Sequence, residues 1–240
     1  MALSIERISS PEFQPLAFSG IFSNPAATFL SLKGRPRWFF PLLIAAVYSV
    51  VVNFYVIQRI GFMRLLNATV QTASAIDAQA VLETALERKA QILLFQGLST
   101  FASIFFTAFV VAKVLWLILE VIGEDLPFKR VLAVVAHATM LMVIIRESML
   151  AFTATVMRNP ENLDLRNPLA TNLAFFLHPG SPFIYRLLAS LDLITISKIC
   201  LLALGLSKVS DRLSLRTACV AVLVPWGVYV GASLLLPGLF

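Results

Sequence analysis

The sequence predicts an all-α fold: a polytopic integral membrane bundle of five transmembrane helices with short interfacial helices. Three observations carry that expectation. Of 240 residues, 59% are hydrophobic and only 13% charged, where a soluble domain is about half apolar and a quarter charged. Mean hydropathy is +0.87. Five apolar stretches, 39–61, 98–122, 131–157, 184–206 and 213–236, each reach spanning length. An α-helix rises about 1.5 Å per residue, so about 20 residues cross a hydrocarbon layer of about 30 Å. Backbone amides cannot stay unpaired in lipid, so such stretches are helical.

Residues 1–38 read as a cytoplasmic N-terminal segment, and 39–240 as one five-span membrane domain. Residues 1–22, with Pro11 and Pro15, read as irregular and carry no signal-peptide core. Asn24-Pro25 is a helix start, cap followed by proline, for a short surface helix over 25–33 that stops at Gly34. Lys33, Arg35, Arg37 and Trp38 come next, cations plus an indole, which suit a headgroup layer. After the first span, 62–96 is the longest polar segment. Ser74 and Asp77 resemble a capping box there, and the helix either lies on the membrane surface or extends span two outward, with Gly97 as a break. A tight turn, 123–130, joins spans two and three. Asn167-Pro168 repeats the cap-plus-proline start for a short helix to Leu177, ended by His178-Pro179-Gly180. Spans four and five form a hairpin turning through 208–212.

Lys113, Arg146, Glu147, Asp192 and Lys198 lie at or near membrane depth, with His137 the intramembrane histidine. Each charge costs about 2.5–3.5 kcal/mol at a helix centre on insertion scales, so such residues face a bundle interior and pair. They define a candidate polar seam. Its functional reading is an ion or proton path; its structural reading is register-fixing ion pairs plus snorkelling side chains. Gly227 and Gly231 form a Gly-x-x-x-Gly pair for close helix packing, against a neighbouring span or in a homo-oligomer. Pro225 just before them is a kink site.

No catalytic, metal or cofactor motif is expected. Cys200 and Cys219 both fall in spans, and two histidines are too few for metal chemistry. The net charge of +6 gathers at span ends, so nucleic acid is not an expected partner, whereas membrane lipids are. With the N-terminus inside, the inner set of cations is Arg7, Lys33, Arg35, Arg37, Lys129, Arg130, Lys208, Arg212 and Arg216. The outer set is Arg59, Arg64, Arg88, Lys89, Arg158, Arg166 and Arg186. This bias places the N-terminus in the cytoplasm and the C-terminus outside.

Three stretches carry a family resemblance. Asn24-Pro25-Ala26-Ala27-Thr28-Phe29 through Pro36-Arg37-Trp38 and Pro41-Leu42-Leu43 resembles the entry to the first span of bacterial Yip (Ypt/Rab-interacting protein) family members. Asn167-Pro168-Leu169-Ala170 to Phe175-Phe176-Leu177 resembles the segment before their fourth span. Ser190-Leu191-Asp192-Leu193-Ile194-Thr195 resembles the aspartate motif of that span, and Leu201 to Leu206 with Arg216-Thr217-Ala218 continues the match. The resemblance implies a five-helix bundle in a bacterial inner membrane, with a cytoplasmic N-terminus. The missing catalytic motifs, the interfacial helices and the Gly227/Gly231 pair point to a non-enzymatic scaffold or accessory protein that binds other membrane proteins. Ser197-Lys198 stand where a tryptophan is common in the family, and the GTPase-binding role of its eukaryotic members is not carried over. The alternative is a small permease or ion-coupled transporter using the intramembrane charges; an intramembrane enzyme ranks last.

Overall fold

A computed structural model describes residues 16–62, 84–160, 163, 167–176 and 182–235. Among them the fold is all-α. In chain order the helices are α1 Leu16–Ser23, α2 Pro25–Ser31, α3 Phe39–Ile60, α4 Lys89–Val121, α5 Phe128–Val156, α6 Pro182–Ser190, α7 Leu193–Val209 and α8 Leu215–Leu235. A 3-10 turn, Leu173–Phe176, precedes α6. Helices α3, α4, α5 and α8 are each long and apolar enough to cross a membrane; α6 and α7 make a fifth span if the bent pair counts as one. The chain is an integral membrane protein.

The centre of the bundle is α5. From Val131 to Met142 every residue is buried. Two-thirds of its apolar window (67%) is buried, against 22% for α4 and α8, which makes those two the lipid-facing periphery. α3, α4 and α7 pack on α5, and α8 packs mainly on α7. α3 and α5 run parallel: Tyr48 meets Ser148 and Tyr55 meets Thr155, each at 2.7 Å, so both helices advance seven residues together. Parallel neighbours require a single crossing between them, and α4 supplies it.

One end of the bundle gathers three connections. The Lys33 ammonium pairs with the Asp211 carboxylate. The Ser210 hydroxyl donates to Glu124 at 3.0 Å. The α2–α3 linker, the α4–α5 turn and the α7–α8 turn therefore share one membrane face, along with most of the cations assigned to the inner set. The Lys33 hydrogen bond and charge hold the Asp211 carboxyl below its ordinary range, and the Arg130 charge adds to this.

Several expectations are corrected. Residues 16–23 are helical, because Pro15 precedes the first turn, where proline is tolerated. Helix α2 begins as expected, with the Asn24 side chain accepting from the Ala27 N–H at 3.0 Å, but it ends at Ser31 rather than Lys33. It is also more than a surface helix. Phe29 is fully buried, seated against Gly205 of α7, where an added Cβ would lie 3.1 Å from the ring and collide with Val134 Cγ1. Gly97 does not break α4, which runs unbroken for 33 residues. At about 1.5 Å per residue that is roughly 50 Å, longer than the hydrocarbon layer, so residues 89–96, the end of the polar segment, extend span two outward; residues 63–83 fall outside the described residues. Gly97 instead admits the Phe54 ring, 3.2 Å from where a Cβ would be. The fourth span is not continuous over 184–206: α6 and α7 meet at 45°.

No helix starts at Asn167-Pro168. The Asn167 and Asn172 side-chain amides bond each other at 2.9 and 3.2 Å, and Asn172 accepts from the Phe175 N–H to open the 3-10 turn. The expectations at Ser74–Asp77, Leu177–Gly180 and the end of the last span at 236 fall outside the described residues.

Gly205→Ala is expected to lower unfolding free energy by about 1–3 kcal/mol through overpacking. Adding Val134→Ala, which vacates the clashing methyl, should restore part of it. Mixed-micelle SDS unfolding of both single variants and the double variant measures the coupling. The Lys33–Asp211 pair is expected to give its stabilisation at neutral pH and lose it on acidification. Because the folded carboxyl is depressed, the contribution is present above about pH 4 and fades as pH falls further. Thermal unfolding from about pH 7 to pH 3 should show an acid-side decrement that Asp211→Asn removes.

Candidate functional site

Apart from Arg146 and Glu147, the residues of the expected seam fall in separate places. Lys113 is exposed on α4, its ammonium 3.8 Å from the Trp116 ring centre and 5.9 Å from that of Phe128. Trp116 is held in turn by donating to the Leu126 carbonyl at 3.1 Å. Lys113 thus reaches along apolar surface to the α4–α5 turn, as long cationic chains do. His137 is buried in the first half of α5, with Nδ1 2.8 Å from the Ala133 carbonyl. A carbonyl only accepts, so Nδ1 carries the proton.

Arg146 and Glu147 do meet. Arg146 Nη1 donates to Glu147 Oε1 at 2.9 Å, and the Ser49 hydroxyl approaches the same oxygen at 3.5 Å. Glu147 is 4% exposed and its Oε2 has no partner among the described residues. The Asn53 amide donates to the Ser49 carbonyl at 2.8 Å, and Arg59 donates to the Thr155 carbonyl at 3.2 Å. With the Tyr48–Ser148 and Tyr55–Thr155 contacts, these groups make a polar ladder between the parallel helices α3 and α5. Sequence reading found Glu147 and Arg146 but missed Ser49, Asn53, Tyr48 and Tyr55, whose helical spacing along α3 was the available signal.

Asp192 is the N-cap of α7. Its backbone is extended (φ −87°, ψ 134°), and its carboxylate accepts from the Thr195 N–H at 3.1 Å and the Thr195 hydroxyl at 3.2 Å. That cap breaks the fourth span. The Leu193 N–H turns away to donate to the Thr171 carbonyl at 2.9 Å, so the 167–172 segment braces the break.

Lys198, about one and a half turns into α7, lines a cavity of about 430 Å³ between α4, α7 and α8. Val114, Ile199, Val222 and Trp226 form its apolar walls, with Thr195 and Tyr229 adding hydroxyls. No carboxylate lines it, and no hydrogen bond or ion pair to the Lys198 ammonium occurs among the described residues.

Gly227 and Gly231 lie elsewhere on α8. Nothing lies within 4 Å of where a Cβ would stand at either position, so among the described residues no helix of this chain uses their close approach. Lys33, of the expected interfacial group, is committed to Asp211; Trp38 packs edge-on against Phe109 at 5.4 Å. Arg35 and Arg37 sit in the same linker, joined by a backbone bond of 2.9 Å.

Among known proteins, the chain is similar to "Membrane protein YknW" of Bacillus subtilis. The two are 23% identical over 241 residues of alignment, covering 98% of this chain and 95% of that one. No family model matches the chain, and no solved structure matches it. The similarity spans nearly the whole of both chains and supports a bacterial membrane protein.

Removing the Arg146 guanidinium should leave a buried carboxylate oxygen short of a donor. Arg146→Met is expected to cost about 1–3 kcal/mol, and the double variant Arg146→Met, Glu147→Gln much less. Mixed-micelle SDS unfolding checks both values.

Proposed function

We propose that this chain is a non-enzymatic membrane scaffold or accessory protein that binds another membrane protein, Yip-like in plan, with its N-terminus in the cytoplasm of a bacterial cell. The observation that supports this reading is the outward Gly-x-x-x-Gly face of α8. Small residues four apart matter where two helix backbones come close, and within the described bundle Gly227 and Gly231 serve no such contact. A partner helix in the same membrane would use them. The full-length similarity to a bacterial membrane protein fits the setting.

A photo-crosslinking residue at Val228, which is 67% exposed, should give a discrete adduct with one membrane protein in native membranes. Gly227→Leu with Gly231→Leu should abolish it. Adducts with lipid or a second copy alone, or an adduct indifferent to both leucines, would defeat the reading.

A second reading, a small permease, is favoured by the bent α6–α7 span, since broken spans accompany transport sites. It expects flux into proteoliposomes that Lys198→Ala and Arg146→Ala reduce. Flux that is absent, or unchanged in both variants, removes it.

A further inference from the structure

We propose that the cavity between α4, α7 and α8 binds a monoanionic amphiphile: an apolar chain or ring system bearing one carboxylate, held by the Lys198 ammonium. The site lies on a different side of α8 from Gly227 and Gly231, so it stands apart from the partner reading.

Depth is the first ground. Lys198 is eleven residues from Val209, roughly 16 Å along α7. Val222 and Tyr229 are seven and fourteen residues into α8, roughly 10 and 21 Å from Leu215. Val110 is eleven residues from Val121, roughly 16 Å along α4. All four distances run from the same membrane face, where the α4–α5 and α7–α8 turns meet. The cavity therefore lies near the middle of a hydrocarbon layer of about 30 Å. A phospholipid phosphate stays at the headgroup level, roughly half that thickness away, so the anion belongs to a molecule that enters the layer bodily.

Chemistry is the second ground. A lone cation among apolar walls is costly, and intramembrane cations pair with an anion. Here none is supplied among the described residues: no Asp or Glu lines the cavity. An inorganic anion would exchange its hydration for one contact and apolar walls. A carboxylate with an apolar body meets both surfaces, the charge on Lys198 and the body on Val114, Ile199 and Trp226. The Thr195 hydroxyl, one turn before Lys198, borders the same space.

Size and access complete the case. About 430 Å³ falls within the range of small-ligand sites, roughly 300–1,000 Å³. α8 leans on α7 and touches α4 little, so the cavity opens sideways between α4 and α8 toward lipid. Pro225 borders that opening, and its missing N–H leaves the Ala221 carbonyl without its helical donor.

Trp226 makes binding visible. Dibromostearate, whose bromines quench indole, is titrated into the intact chain in detergent beside its uncharged methyl ester. The expected result is saturable quenching by the acid that the ester lacks, and that Trp226→Phe removes. Lys198→Met should weaken the acid's saturable component by about tenfold or more, a change of about 1.4 kcal/mol, while Lys198→Arg keeps it. Equal behaviour of acid and ester on the unmodified chain overturns the proposal without any variant. So does a saturable component that survives in well-folded Lys198→Met or Lys198→Gln.

Discussion

The bundle depends on burying the first half of α5 on every side. From Val131 to Met142 that helix meets protein all round, in a solvent as apolar as its own side chains. Lipid offers no hydrophobic drive for the burial, so packing and interhelical polar contacts must hold it. α3 lies along it in parallel register, α4 and α7 close two further sides, and the α1–α2 segment covers what remains. Small residues make this possible: Ala133, Ala136, Ala138 and Ala203 are fully buried, as is Ala112 on α4.

Polar groups divide into two kinds of work. The α3–α5 ladder fixes register, because Tyr48–Ser148 and Tyr55–Thr155 lose both hydrogen bonds if one helix slips a turn. The Arg146–Glu147 pair sits within that ladder, with Glu147 buried and Arg146 half outside. Lys198 belongs to neither helix of the ladder. Its cavity forms where α8 stands away from α4, and nothing in the described chain neutralises it. Structural charge and unpaired charge therefore occupy different sides of the bundle.

The spans were legible because length and hydropathy respond to the membrane alone. Helices α3, α4, α5 and α8 follow the apolar stretches within a few residues at most ends, α4 also taking in residues 89–96 at the end of the polar segment. The Asn24 cap was legible too, since cap chemistry is local. Asp192 was not, because an aspartate in an apolar run reads equally as a buried charge or as a cap. What decides is the Thr195 N–H three residues on and the Thr171 carbonyl brought from another segment. The single polar seam failed as an expectation for a related reason. Residues at similar depth share a face only if their helices are rotated toward each other, and rotation is set by packing that hydropathy does not record. Phe29 and Gly205 show the same limit, being matched in shape although they stand near opposite ends of the sequence.

That match orders the assembly of the protein in time. Phe29 precedes in sequence the residues that receive it, and the groove between Gly205 and Val134 exists only once α7 lies beside α5. α2, although it precedes α5 and α7 in the chain, cannot take its place before both are packed. Until α5 and α7 are packed together, Phe29 and Ile21 have no cover, so the seating of α2 rests on long-range contacts rather than on local ones.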